Sequence, residues 1–266
     1  MFGFDSTSFQ VGMACCATQV IFYALFTCGL LPHGPWSKEP GFTAHQIVCL
    51  PLMIYLAIVG WQTWFTTGNN NEGYETPTAR VSQVHVIGKQ LSGIIFCQLV
   101  MWDIPTGLAT KSLRQPEMIV HHILMAILAY MSFKFNMFTY YTPLYFGFIE
   151  LSGVPLAIVD FTNPKHKAWC SWFQEHPIAA TLPNVCRPLF AVLYFVCRLF
   201  IFPYYMFSMV LPDIVTLLSE GGHGMQAPLV VVGVFAVLLT LLQFYWGWLI
   251  FQQVVKMFST KEKKRE

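Results

Sequence analysis

Seven apolar runs, each close to the ~20 residues a helix needs to cross a bilayer, take up most of this sequence. They lie at about Phe9–Leu31, His45–Phe65, Val84–Asp103, Glu117–Phe133, Met137–Val159, Cys186–Val210 and Pro228–Phe251. In lipid every backbone N–H and C=O must be satisfied within its own segment, so each run is read as a helix. The charge content agrees. Charged residues make up 11% of the 266, against about 25% in a soluble domain, too few to dress a water-facing surface. The expected fold is an all-α membrane protein, a bundle of about seven transmembrane helices. Pro143, Pro155 and Pro203 should kink the fifth and sixth helices.

The loops are short, and neither of the two longest looks like a folded soluble domain. The chain divides into a first helix and loop (1–43), one membrane domain (44–258) and a basic tail (259–266). The sequence opens MFGFDSTSFQ, without the basic segment that a cleavable signal needs. Its eight cysteines form no Cys-x-x-Cys pair and mostly lie inside apolar runs, where they read as small buried packing residues. The net charge of +2 points to no nucleic-acid partner.

Lysine and arginine placement orients the bundle. Lys38, Lys111, Arg114, Lys165, Lys167, Arg187 and five tail residues from Lys256 to Arg265 fall on one side; only Arg80, Lys89 and Lys134 fall on the other. That asymmetry predicts a cytosolic C-terminus and a lumenal N-terminus. Lys263-Lys264, third and fourth from the end, resembles a dilysine signal for retrieval to the endoplasmic reticulum. A basic stop-transfer flank would look the same.

Ionisable groups inside the runs are the candidates for function, because each costs about 2.5–3.5 kcal/mol in lipid even on a lenient scale. His121 and His122 lie just inside the fourth run and Glu150 lies deep in the fifth. Neighbours on a helix point about 100° apart, so the two imidazoles cannot face one small site equally. Arg198 in the sixth run sits at a depth similar to that of Glu150, which predicts an ion pair between them; the plainer reading is that this pair only closes the bundle. In the third run, His85, Lys89 and Asp103 fall on one face at 3.6 residues per turn, as a polar stripe or as interfacial end groups with a snorkelling lysine. His33, His45, His166, His176 and His223 lie in or near loops without ligand spacing, so no metal site is expected.

These residues resemble a known family. His121-His122, followed about 28 residues later by an acidic position in the next run, resembles the TLC domain of ceramide synthases and their relatives. Trp102-Asp103-x-Pro105, Glu150-Leu151-Ser152 with Pro155, the segment NVCRPLFAVLYFVCRLFIFPYY and the last run agree in order and spacing, over roughly Ala44 to Phe258. The synthase pattern His-Asp-x-x-Asp is reduced here to the single acid Glu150, and Met125 stands where a threonine is usual. In this respect the chain is more similar to TLC proteins that are not synthases.

The resemblance implies a protein that binds membrane lipids or regulates membrane lipid composition. The alternative it implies is N-acyl transfer from acyl-CoA to a sphingoid amine. In that reaction His121 or His122 would act as base, Glu150 would orient it, and Lys111, Arg114, Lys165 and Lys167 would attract the CoA phosphates. Arg198, Asp103 and Lys89 are the residues expected to hold the ligand. An adaptor for other membrane proteins is a third reading. Expected partners are membrane lipids, acyl-CoA in the acyltransferase reading and a second copy of the chain; no bound cofactor is expected.

Overall fold

The computed structural model describes residues 6–67, 73–221 and 226–262. These are 86% helical and contain no strand. Seven helices among them are long and apolar enough to span a membrane: Ser6–Thr27, Pro40–Thr66, Val86–Ala109, Pro116–Phe135, Pro143–Thr162, Pro177–Glu220 and Gln226–Lys256. They are called spans one to seven. The first span lies against the second and third, the second against the fifth, the third against the fourth, and the fifth against the sixth; the seventh closes the bundle against the fourth and sixth. Lys263-Lys264 falls outside the described residues.

Where spans two and five cross, glycine is required. A Cβ on Gly60 would stand 2.1 Å from the Phe148 nitrogen, and one on Gly147 would stand 2.7 Å from the Gly60 Cα. The two backbones touch directly, as small residues allow helices in lipid to do. Outward faces are apolar at helical spacing, as in span six, where Ile178, Leu182, Val185, Leu189, Val192 and Val196 are exposed.

Two boundaries differ from the sequence reading. The fifth span begins at Pro143 rather than near Met137, because residues 136–142 form a turn in which Asn136 and Phe138 have φ of 57° and 59°. The sixth span runs 44 residues, about 66 Å of helix at 1.5 Å per residue, well beyond the apolar core of a bilayer. Pro183 and Pro188 lie inside it without ending it.

Three spans leave regular α geometry where they carry charge. Asp103 closes a wide π-helical turn, Leu99–Asp103. Glu150 lies in a tight 3-10 segment, Phe148–Ser152, and Arg198 in a second π-helical turn, Phe195–Ile201. Such bulges collect at functional sites because they re-aim a side chain. In span three the cause is visible. Pro105 has no N–H to offer the Met101 carbonyl, and the Cys16 thiol of span one donates to it instead, at 3.2 Å.

The loops between spans one and two and between five and six meet at one end of the bundle. His166, with no exposed surface, stacks on Phe42 at 3.5 Å and donates Nδ1–H to Glu39 Oε2 at 2.5 Å. The other Glu39 oxygen accepts from the Ala168 N–H, and Trp169 Nε1 donates to Thr43. This seats the amphipathic helix Lys167–Glu175, which carries Trp169, Trp172 and Phe173, residues suited to a membrane interface.

Burial holds the His166 imidazole below its ordinary 6.5, against the upward pull of Glu39 and Asp160 and with a smaller downward push from Lys165. The unfolded chain therefore binds the extra proton first, and stability should fall as pH drops through about 6.5. Purified protein should melt lower at pH 5.5 than at 7.5, and His166→Asn should flatten that difference. Equal pH dependence in the two proteins would contradict this role for His166.

Candidate functional site

Spans two, three and four bring three polar side chains to one depth. His45 lies near the start of span two, Asp103 near the end of span three and His122 near the start of span four, all about 8–9 Å inside the same end of the bundle. His45 Nε2 lies 2.8 Å from Asp103 Oδ1, and His122 Nδ1 lies 3.1 Å from Oδ2. A carboxylate only accepts, so the His45 imidazole donates to it, while His122 is within charge-contact distance of the other oxygen. The Nε2 of His122 is the ring nitrogen on the side away from Asp103. His45 is stacked on Trp102 at 4.8 Å, and its Nδ1 is buried without a partner. Trp102 is held in turn, donating to Gln19 of span one.

His121 turns the other way. It is 9% exposed, its ring lies 5.6 Å from that of His122 and 5.3 Å from Trp246 of span seven, and its Nδ1 is also buried without a partner. It lies within electrostatic reach of both Asp103 and Arg198. The two histidines thus divide the site, one facing span three and the other facing span seven, as neighbours 100° apart must.

The ion pair expected from matched depth is present. Arg198 Nη2 donates to Glu150 Oε1 at 3.3 Å and Nε to Ser152 Oγ at 2.7 Å. The guanidinium lies 5.9 Å from the centre of the Tyr194 ring, and the Tyr194 hydroxyl bonds to Gln243 of span seven. Glu150 is therefore the partner of Arg198. The acid that orients a histidine is Asp103.

Lys89 does not join this group. It sits in the first turn of span three, about 21 Å along the helix from Asp103, and the π-helical turn at 99–103 interrupts the register that placed the two on one stripe. His85, at the same far end, caps span three by accepting the Gly88 N–H at Nδ1. Burial lowers its pKa, in keeping with a neutral ring.

Of the basic residues expected at the mouth, Lys165 pairs with Asp160 at 3.4 Å and Arg114 donates to the Leu108 carbonyl. Lys111 and Lys167 are exposed. No group of three or more His, Cys, Asp or Glu side chains among the described residues is arranged to hold a metal.

One turn deeper than His121, Met125 lines an apolar chamber between spans four, five, six and seven. Its walls are almost wholly apolar and include Met131, Met137, Met206 and Ala236, with Tyr141 at the far end. Methionine-rich walls adapt to irregular apolar occupants. His121 and Arg198 lie one helical turn from the lining residues Met125 and Phe202, an arrangement that suits a ligand with a polar head and a hydrocarbon tail.

His45 was not among the residues singled out from sequence. Its signal was the matched depth of His45, Asp103 and His122, the same measure that paired Glu150 with Arg198.

No curated protein and no solved structure matches this chain. The family model of the TLC domain matches residues 4–252, nearly the whole length and including the first span. With seven spanning helices and that match, the chain is a multi-pass membrane protein that belongs to the TLC-domain family.

Proposed function

We propose that the protein binds a membrane lipid and thereby regulates membrane lipid composition. The observation that carries this reading is the apolar chamber, with His121 and Arg198 each one helical turn from its lining residues Met125 and Phe202. The hydrocarbon tail would lie among the methionines. The head would meet His121, His122 and Arg198, whose charge or unpaired imidazole nitrogen is otherwise costly to keep in the membrane. The basic asymmetry of the loops puts this end of the bundle on the cytosolic side, and the tail lysines favour the endoplasmic reticulum.

A second reading, N-acyl transfer from acyl-CoA to a sphingoid amine, draws on one specific feature. His122 Nδ1 lies 3.1 Å from Asp103 Oδ2, an imidazole beside an acid as in base–orienter pairs, and such a base contributes about 10²–10⁴-fold. Asp103 takes the orienting role, and exposed Lys111 and Lys167 are available to the CoA phosphates.

Lipid analysis of membranes with and without the protein tests the first reading. The wild type should shift the proportions of lipid classes, and the His121→Ala/His122→Ala variant should not. Identical shifts with both would remove the histidines from the function. Purified protein given acyl-CoA and a sphingoid base decides the second: amide product abolished by His122→Ala supports catalysis, and absence of product leaves binding.

A further inference from the structure

At the end away from His121, the chamber wall is formed by Phe138 and Tyr141 of the 136–142 turn and by Val210 of span six. One layer beyond lies the short helix Pro77–Ser82. The turn is tied to it twice. The Phe138 N–H donates to the Val81 carbonyl at 2.8 Å. The Tyr141 hydroxyl donates to Asp213, and Arg80 of the short helix grips the same carboxylate with both arms, Nε to Oδ2 at 2.8 Å and Nη2 to Oδ1 at 2.6 Å. Arg80 Nη1 also holds the carbonyls of Tyr74 and Glu75, at 3.2 and 2.9 Å. Asp213 is 2% exposed and lies one turn after Val210.

Two features set this apart from an ion pair that merely joins two elements. The first is backbone strain. Phe138, a bulky aromatic residue, has φ of 59°, in the left-handed region that such residues rarely adopt. The turn keeps that shape through bonds from outside it, and strain of this kind persists only while its surroundings enforce it. The second is position. Tyr141 belongs to the ion-pair network and to the chamber wall at once, so releasing Asp213 frees a side chain that closes the space.

We propose that Arg80, Asp213 and Tyr141 form a latch that closes this end of the chamber and, when released, admits the hydrocarbon chain of a membrane lipid. The proposal rests on reading the chamber as a lipid site. It adds a second way in, opposite the histidines, and a strained turn that relaxes on opening. The bidentate grip of Arg80 on a buried carboxylate keeps the closed state dominant, so the open state is a minor population that a lipid chain would select.

The test uses full-length protein in lipid discs, with Val210→Cys as a reporter in the wall. The probe is a small charged methanethiosulfonate, and labelling is read at position 210 by peptide mass spectrometry. Labelling should be slow in Val210→Cys alone. Adding Asp213→Asn should speed it by at least about tenfold, as expected from losing a hydrogen bond to a charged group. Adding Tyr141→Phe removes one oxygen and leaves the ion pair, and it should speed labelling several-fold, which keeps the test decisive should Asp213→Asn fold poorly. Unchanged rates in well-folded variants would overturn the latch. Lipid measured in the same samples separates the two claims. Bound lipid with unchanged rates overturns the latch alone, whereas raised rates without any bound lipid overturn the lipid reading and leave the closure standing.

Discussion

Glu150→Gln and Arg198→Met should each lower the stability of the folded protein by about 3–5 kcal/mol, because each leaves the other group charged and alone inside the bundle. The two side chains are only 19% and 12% exposed, so solvent does little to screen the survivor. Arg198→Met also takes a donor from Ser152 at 2.7 Å and the cation from the face of Tyr194. Arg198→Met should therefore be the costlier change. The double variant should cost less than the sum, since neither charge is then left unpaired. Detergent melting of the four proteins measures this coupling directly. Strict additivity would mean that the contact contributes nothing.

Asp103→Asn should have the second large effect, on function more than on folding. The carboxylate accepts a charge-assisted bond from His45, worth about 1.5–3 kcal/mol, and its other oxygen lies 3.1 Å from His122 Nδ1. An asparagine of the same shape has one acceptor oxygen and one donor nitrogen. An amide cannot serve both imidazoles as the carboxylate does. If His122 loses its acid, any chemistry that needs that imidazole should fall by about 10²–10⁴-fold. If binding is the function, headgroup affinity should fall while the chamber stays intact. His45→Ala, which leaves the His122 contact in place, should have a smaller effect. Equal activity or occupancy in wild type and Asp103→Asn would remove the His45–Asp103–His122 array from the account.

The residues legible from sequence were those whose charge is expensive in lipid. Glu150, Arg198, Asp103, His121 and His122 stand out against their apolar runs, and Glu150 meets Arg198 as matched depth implied, whereas the acid beside His122 is Asp103 and not Glu150. Lys89 was read on one stripe with Asp103 by a 3.6-residue register carried through Leu99–Asp103, a turn that Pro105 and the Cys16 thiol widen, and the two lie about 21 Å apart along the helix. His45 was passed over because a histidine at the start of a run resembles an ordinary end group. Its importance comes from two other chains of residues arriving at the same depth. Phe138 shows a different limit. The break near Asn136 was legible between the fourth and fifth runs, but not its continuation through Phe138, whose left-handed backbone is held by Val81 and Asp213, far away in sequence.

The claim on which the rest depends is that the chamber beneath His121 holds a lipid tail. Native mass spectrometry of the protein released gently from its membrane tests it most directly, on the wild type and on Ala236→Phe. Ala236 is 4% exposed and lines the chamber wall, so a phenyl ring there takes up space that a tail would need while the charged cluster is untouched. The account predicts close to one lipid per chain on the wild type and a marked loss on Ala236→Phe. A wild type that carries no lipid, or a variant that carries as much as the wild type, would contradict it.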